Sequence, residues 1–209
     1  LPYRQTHRRI EREPDWRPSE QYTAALLPPA CRAWLLDDGS LTGRLLGLGR
    51  GEFRVERLRQ GWQVPLASER RLLAVKPRRL ALVREVALRL GGEAVVFARS
   101  VFPISSLTGN LTHLRRLQNR SLGAILFQHP GMRRSPFELA RLPAESDYLP
   151  PSLRQPQPAW GRRSRFEIGG KDLMVSEIFL QPFTPWPAVL PVHRTQRGKV
   201  SAAILRANR

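Results

Sequence analysis

The chain has 209 residues, 41% of them hydrophobic, with 35 basic against 17 acidic side chains and a net charge of +18. A chain of this length buries on the order of 70% of its unfolded surface without a covalent or metal staple, and the lone Cys31 excludes an internal disulfide and a cysteine metal cage. No apolar run approaches the roughly 18 residues that a membrane-crossing helix needs, and the charged first twenty residues hold no signal-peptide core, so one soluble cytoplasmic domain is expected.

Residues 1–29 are polar and punctuated by Pro14, Pro18, Pro28 and Pro29, and read as an N-terminal arm. Residues 31–36, followed by Asp37-Asp38-Gly39, read as a short helix stopped at Gly39. Ser40 suits the N-cap of a second helix over 41–48. A strand suits 53–58, with a turn at Gln60-Gly61. Residues 80–90, then Gly91-Gly92, then 94–102 have the pattern of a hairpin of two long strands. A helix capped near Asn110 runs to about Leu117, and Ser121 caps another over 122–127. Five prolines between 143 and 158 mark a long surface loop. A second hairpin joins 165–168 to 173–180 through Gly169-Gly170. Residues 184–209 carry Arg194, Arg197, Lys199, Arg206 and Arg209 and no acid, and read as a flexible basic tail open to weak contact with an anionic membrane surface. Strands paired through short glycine turns, with helices between hairpins, predict one α+β domain over 30–183, built on an antiparallel β-sheet with flanking helices.

All but three of the basic residues (Lys76, Lys171 and Lys199) are arginines. They are dispersed, with no block of five or six like charges, and no zinc finger or aromatic RNA-binding signature accompanies them. No nucleic acid partner is expected. The four histidines have no metal-ligand spacing, and no Walker or dinucleotide-binding glycine pattern is present. No cofactor is expected.

Three residues break the apolar pattern of their own strands. Leu80, Leu82, Arg84, Val86, Leu88 and Leu90 share the face expected to be the core, with Arg84 in its middle. A buried cation needs a partner. Two partners suit it: a protein carboxylate, or a ligand carboxylate held by the guanidinium fork. Leu173, Val175, Glu177 and Phe179 share one face of a strand that is apolar on both, so Glu177 is expected inside a central strand. It serves either as a structural mate of Arg84 or Arg99 or as a carboxylate in a pocket. Arg99 interrupts Val95, Phe97 and Val101. The helix starts after Ser40 and Ser121 supply unpaired amides at Leu41 and Leu122, which suit a carboxylate.

Several segments, in this order and spacing, resemble the chorismate pyruvate-lyase family. They are residues 34–42, 82–86, 98–103 and 121–127, then Trp160-Gly161-Arg162-Arg163-Ser164-Arg165 and Ser176-Glu177-Ile178-Phe179-Leu180. The resemblance runs from about residue 30 to 181. It implies a monomer that converts chorismate to 4-hydroxybenzoate and pyruvate for ubiquinone biosynthesis, with no cofactor. By motif, it implies that Arg84 and the amides of Leu41 and Leu122 hold the ring carboxylate and that Glu177 meets the ring hydroxyl. Leu41 stands where some members carry Met. The alternative is a non-enzymatic module that binds a small aromatic acid, as in the effector domains of transcription regulators. Residues 1–29 are too short and proline-rich for the DNA-binding domain such a regulator carries.

Overall fold

The computed structural model describes residues 10–23 and 26–190. Most of the expected basic tail, from 191 onward, lies outside the described residues. In chain order the elements are β1 (Arg17–Pro18), α1 (Pro29–Leu35), α2 (Leu41–Gly47), β2 (Phe53–Gln63), α3 (Ala67–Leu72), β3 (Ala81–Leu90), β4 (Glu93–Pro103), α4 (Leu122–Gln128), β5 (Arg133–Arg134), β6 (Glu138–Leu142), β7 (Ala159–Ile168) and β8 (Lys171–Phe179). The strands form one antiparallel sheet in the order β1-β6-β7-β8-β4-β3-β2, with β5 paired to β7. The fold is α+β with flanking helices, as the hairpin pattern predicted.

Both faces of the sheet are buried. The front face carries Leu82, Arg84, Val86 and Leu88 of β3, and α1, α2 and α4 pack on it through Trp34, Leu35, Leu41, Leu45, Leu122 and Leu126. The back face carries Ala81, Val83, Glu85 and Ala87, expected to be the outer side of β3, and all four are buried. Two elements cover it. One is α3 with the chain just after it, whose Leu73 packs on Ala81 and Val83. The other is the segment 143–158, which is no surface loop: Tyr148 and Leu149 are fully buried against Phe97 and Ile178, and only a short 3-10 turn at Pro151–Leu153 interrupts it.

The strand β2 runs straight through the expected turn at Gln60-Gly61, with a register irregularity between Arg57 and Arg59. Pairing along the whole length of β3 outweighs the local turn preference of glycine. The segment over 109–116 is 3-10 rather than α, and Thr108 rather than Asn110 precedes it. Residues 13–22 lie along the sheet: Glu13 accepts from the amides of Ala67 and Ser68 at 2.8 and 2.9 Å, and the Tyr22 hydroxyl donates to the Leu139 carbonyl. At the other end, Trp186 packs tilted against Phe179 and edge-on against Phe183, with ring centroids 4.9 and 4.7 Å apart.

Candidate active site

A cavity lies between the front face and the starts of α2 and α4. It is lined by Gly39, Leu41, Thr42, Arg84, Val86, Ala98, Ser100, Ser121, Leu122, Gly123, Phe127, Arg134, Phe166, Val175 and Glu177, among others. Four of the residues singled out in the sequence, Arg84, Glu177, Leu41 and Leu122, therefore meet at one place.

Strand register builds its floor. Arg84 on β3 stands opposite Ser100 on β4, Ser100 opposite Val175 on β8, and Val175 opposite Ser164 on β7. Cross-strand partners share a face, so these four make one row. The next row runs from Ala98 through Glu177 to Arg162.

The roof is two helix starts. Ser40 caps α2 by accepting from Gly43 N at 3.3 Å, and Ser121 caps α4 by accepting from Ala124 N at 3.2 Å, as expected for both. The first amides of each helix have no acceptor within the helix, and they belong to Leu41 and Leu122. The Thr42 and Ser121 hydroxyls bond each other at 2.8 Å and join the two starts.

Arg84 is 1% exposed, and among the described residues no carboxylate pairs with it. One terminal nitrogen, Nη2, donates to the Gln118 and Arg120 carbonyls at 2.9 and 2.8 Å. Gln118 adopts a left-handed φ of 49°, an uncommon conformation outside glycine, in the turn that carries both carbonyls. The buried Nε of Arg84 has no hydrogen-bond partner among the described residues. Burial, with the charge of Arg57, pulls the guanidinium down to about 10. Arg84 remains a cation at neutral pH, but its charge is poorly compensated.

Glu177 does not pair with Arg84 or Arg99. Its Oε2 accepts from Arg162 Nε at 2.6 Å, and Arg162 is held in turn by the carbonyls of Trp34 and Asp37 at 2.6 and 2.9 Å. Arg99 is on the back face, clasped by Glu69 at 2.7 and 3.1 Å and by Glu85 at 2.8 Å. Burial opposes its charge, but the two carboxylates outweigh burial and raise its pKa. Arg99 thus pins α3 to the sheet and lies away from the cavity.

Arg134 and Arg162 were not singled out in the sequence. Arg134 sits in a two-residue strand with no periodicity to read. Arg162 alternates with Ser164 and Phe166 on a strand whose first half lay outside the expected hairpin. Among the described residues, no group of three or more His, Cys, Asp or Glu side chains is arranged to hold a metal ion, and no helix is long and apolar enough to cross a membrane.

The family model described as chorismate lyase matches residues 11–186. A protein of Pseudomonas aeruginosa strain UCBPP-PA14, named "Probable chorismate pyruvate-lyase", is 42% identical over 165 residues, covering 79% of this chain and 90% of its own. A protein of the same name from Methylococcus capsulatus is 42% identical over 164 residues, covering 77% and 96%. Among solved structures, the effector domain of PhnF from Mycobacterium smegmatis superposes with a TM-score of 0.50 at 14% identity, over 68% of this chain and 89% of that one. At that identity the likeness is one of fold.

Proposed function

The chain belongs to the chorismate lyase family, and from that premise we propose that it converts chorismate to 4-hydroxybenzoate and pyruvate, supplying 4-hydroxybenzoate for ubiquinone biosynthesis. The observation that carries this reading is Arg84. It is a buried cation with, among the described residues, no carboxylate partner and an unused Nε, facing the two capped helix starts across a cavity whose other side holds Glu177.

On this reading Arg84 and the amides of Leu41 and Leu122 anchor the ring carboxylate of the substrate. A guanidinium fork and two helix-start amides are the groups that bind such an anion best in a water-poor site. Glu177, its carboxylate fixed by Arg162, orients the 4-hydroxyl and assists transfer of the C4 hydrogen. The C3–O bond breaks and its electron pair leaves with the enolpyruvyl oxygen. The C4 hydrogen is lost as a proton, and its bond pair completes the aromatic ring. The enolpyruvate takes up one proton at its methylene carbon and becomes pyruvate. No atom is gained or lost overall. Aromatisation drives the step, so most of the work left to the protein is positioning.

The experiment is to mix the purified chain with chorismate and follow both products. Both should appear in equal amounts, with no added metal or nucleotide and after exhaustive EDTA treatment. A protein that binds 4-hydroxybenzoate but never turns chorismate over would instead be the ligand-binding module. We further take the chain to be a monomer without a nucleic acid partner, its basic tail making only weak contact with anionic membranes. Sedimentation reads the oligomeric state, vesicle flotation the membrane contact, and a gel shift with DNA and RNA the missing nucleic acid partner.

A further inference from the structure

Chorismate carries two carboxylates and 4-hydroxybenzoate carries one. The reading above, on which this inference rests, gives a partner only to the carboxylate on the ring. The second lies on the enolpyruvyl side chain at C3, beside the C4 hydroxyl that Glu177 would meet. We propose that Arg134 is the partner of this second carboxylate and so distinguishes substrate from product.

Among the described residues, Arg134 lines the cavity and forms no ion pair. Its strand β5 pairs with β7, setting Arg134 opposite Phe166. The guanidinium lies over Phe137 and Phe166, 4.1 and 4.9 Å from their ring centroids. Its Nε donates to the Ser164 hydroxyl at 2.7 Å, and one terminal nitrogen, Nη1, reaches the Asp38 carbonyl at 3.4 Å. The other, Nη2, has no hydrogen bond among the described residues. The side chain is therefore fixed along one edge and on its flat faces, with donor capacity left over. Such a group is pre-organised for an anion.

Its place along the floor fits the substrate. Arg84 stands on β3, and Ser164, which holds Arg134, stands in the same row on β7. Three strand spacings separate their backbones, about 14 Å, enough for a six-membered ring and its side chain between two guanidinium groups. Glu177 stands on the neighbouring row, nearer Arg134, with Arg162 already on its Oε2. The Glu177 carboxylate is thus already engaged by Arg162. Burial and the charge of Arg162 pull the Arg134 guanidinium down to about 9, only partly offset by Glu177, Asp37 and Asp38. An incoming carboxylate relieves that cost.

The test compares one carboxylate with two. Arg134→Gln should raise the KM for chorismate at least tenfold while the Kd for 4-hydroxybenzoate stays within about twofold. Arg134→Lys, which keeps the charge and loses the fork, should recover part of the KM. A binding measurement without turnover uses 3-(carboxymethoxy)-4-hydroxybenzoate, an aromatic dicarboxylate with its second acid on the C3 ether. The parent protein should prefer it to 4-hydroxybenzoate, and Arg134→Gln should abolish the preference. If Arg134→Gln does not fold, the same ratio is read on Arg134→Lys, where the preference should shrink. Equal weakening of both ligands would mean that Arg134 only shapes the cavity wall, and an unchanged preference would remove it from the site. Failure of the parent to turn chorismate over would overturn the functional reading, while the dicarboxylate preference would still report whether the second anion site exists.

Discussion

Buried arginines are common in this chain, and their partners sort them. Arg44 is held by Asp37, Arg99 by Glu69 and Glu85, Arg162 by Glu177 and Arg163 by Glu138. Arg84 is as buried as these and, among the described residues, has only two carbonyls. Arg99→Leu should therefore destabilise the fold by about 3–5 kcal/mol, because it strands two buried carboxylates. Arg84→Leu strands no carboxylate and should cost less, a ranking that denaturant melts of the two variants will check. In kinetics Arg84→Leu should chiefly weaken chorismate and 4-hydroxybenzoate binding. Glu177→Gln keeps the shape of the side chain and should lower kcat more than it weakens affinity. A folded Arg84→Leu protein that binds 4-hydroxybenzoate as tightly as the parent would remove the anchor from the proposed site. Periodicity was enough to mark Arg84 and Glu177, because each interrupts an apolar face. It carried no information on who pairs with whom, since Arg162 reaches Glu177 across strands and Arg134 has no face of its own to interrupt.

At the scale of elements, what was legible was local. The hairpins were visible through Gly91-Gly92 and Gly169-Gly170, and the starts of α2 and α4 through Ser40 and Ser121. The helix α3 was not, because its cap comes from far away in the chain: Glu13 receives the amides of Ala67 and Ser68, and no side chain at Leu66 does so. The strand β6 was hidden by its shortness between Pro136 and Pro143. The two serine caps now separate two effects. Ser40→Ala and Ser121→Ala should each cost about 1 kcal/mol as lost caps. Ser121→Ala also breaks the hydroxyl bond that ties α4 to α2, so it should loosen 4-hydroxybenzoate binding more than Ser40→Ala does. Titrations of both variants, each checked for its melting profile, read that difference. Beyond the last elements, Trp186 and Leu190 pack on the core. Deletion of residues 191–209 should leave turnover within about twofold of the parent, and a folded but inactive truncation would make the tail part of the site.

Two sets of strands meet along one seam of the sheet, and β1 adds to the far edge of the second set. Strands β2, β3 and β4 follow each other in a meander, and β5 to β8 form a second set, in which the 143–158 segment links β6 to β7. Among the described residues, the one strand pairing that unites them is that of β4 with β8, which brings Ala98 to Glu177 and Ser100 to Val175. Closing so long a loop carries an entropic cost that local hairpins avoid, so the seam should form late in folding. The cavity floor lies across it: Arg84 belongs to the first set, and Glu177 and Arg134 belong to the second. A bound ring anion then acts as a clasp between two halves that meet last, absent while the chain folds and present only once it has closed. Added 4-hydroxybenzoate should slow unfolding in denaturant jumps and leave the refolding rate unmoved. A ligand that speeds refolding instead would place the seam before the barrier.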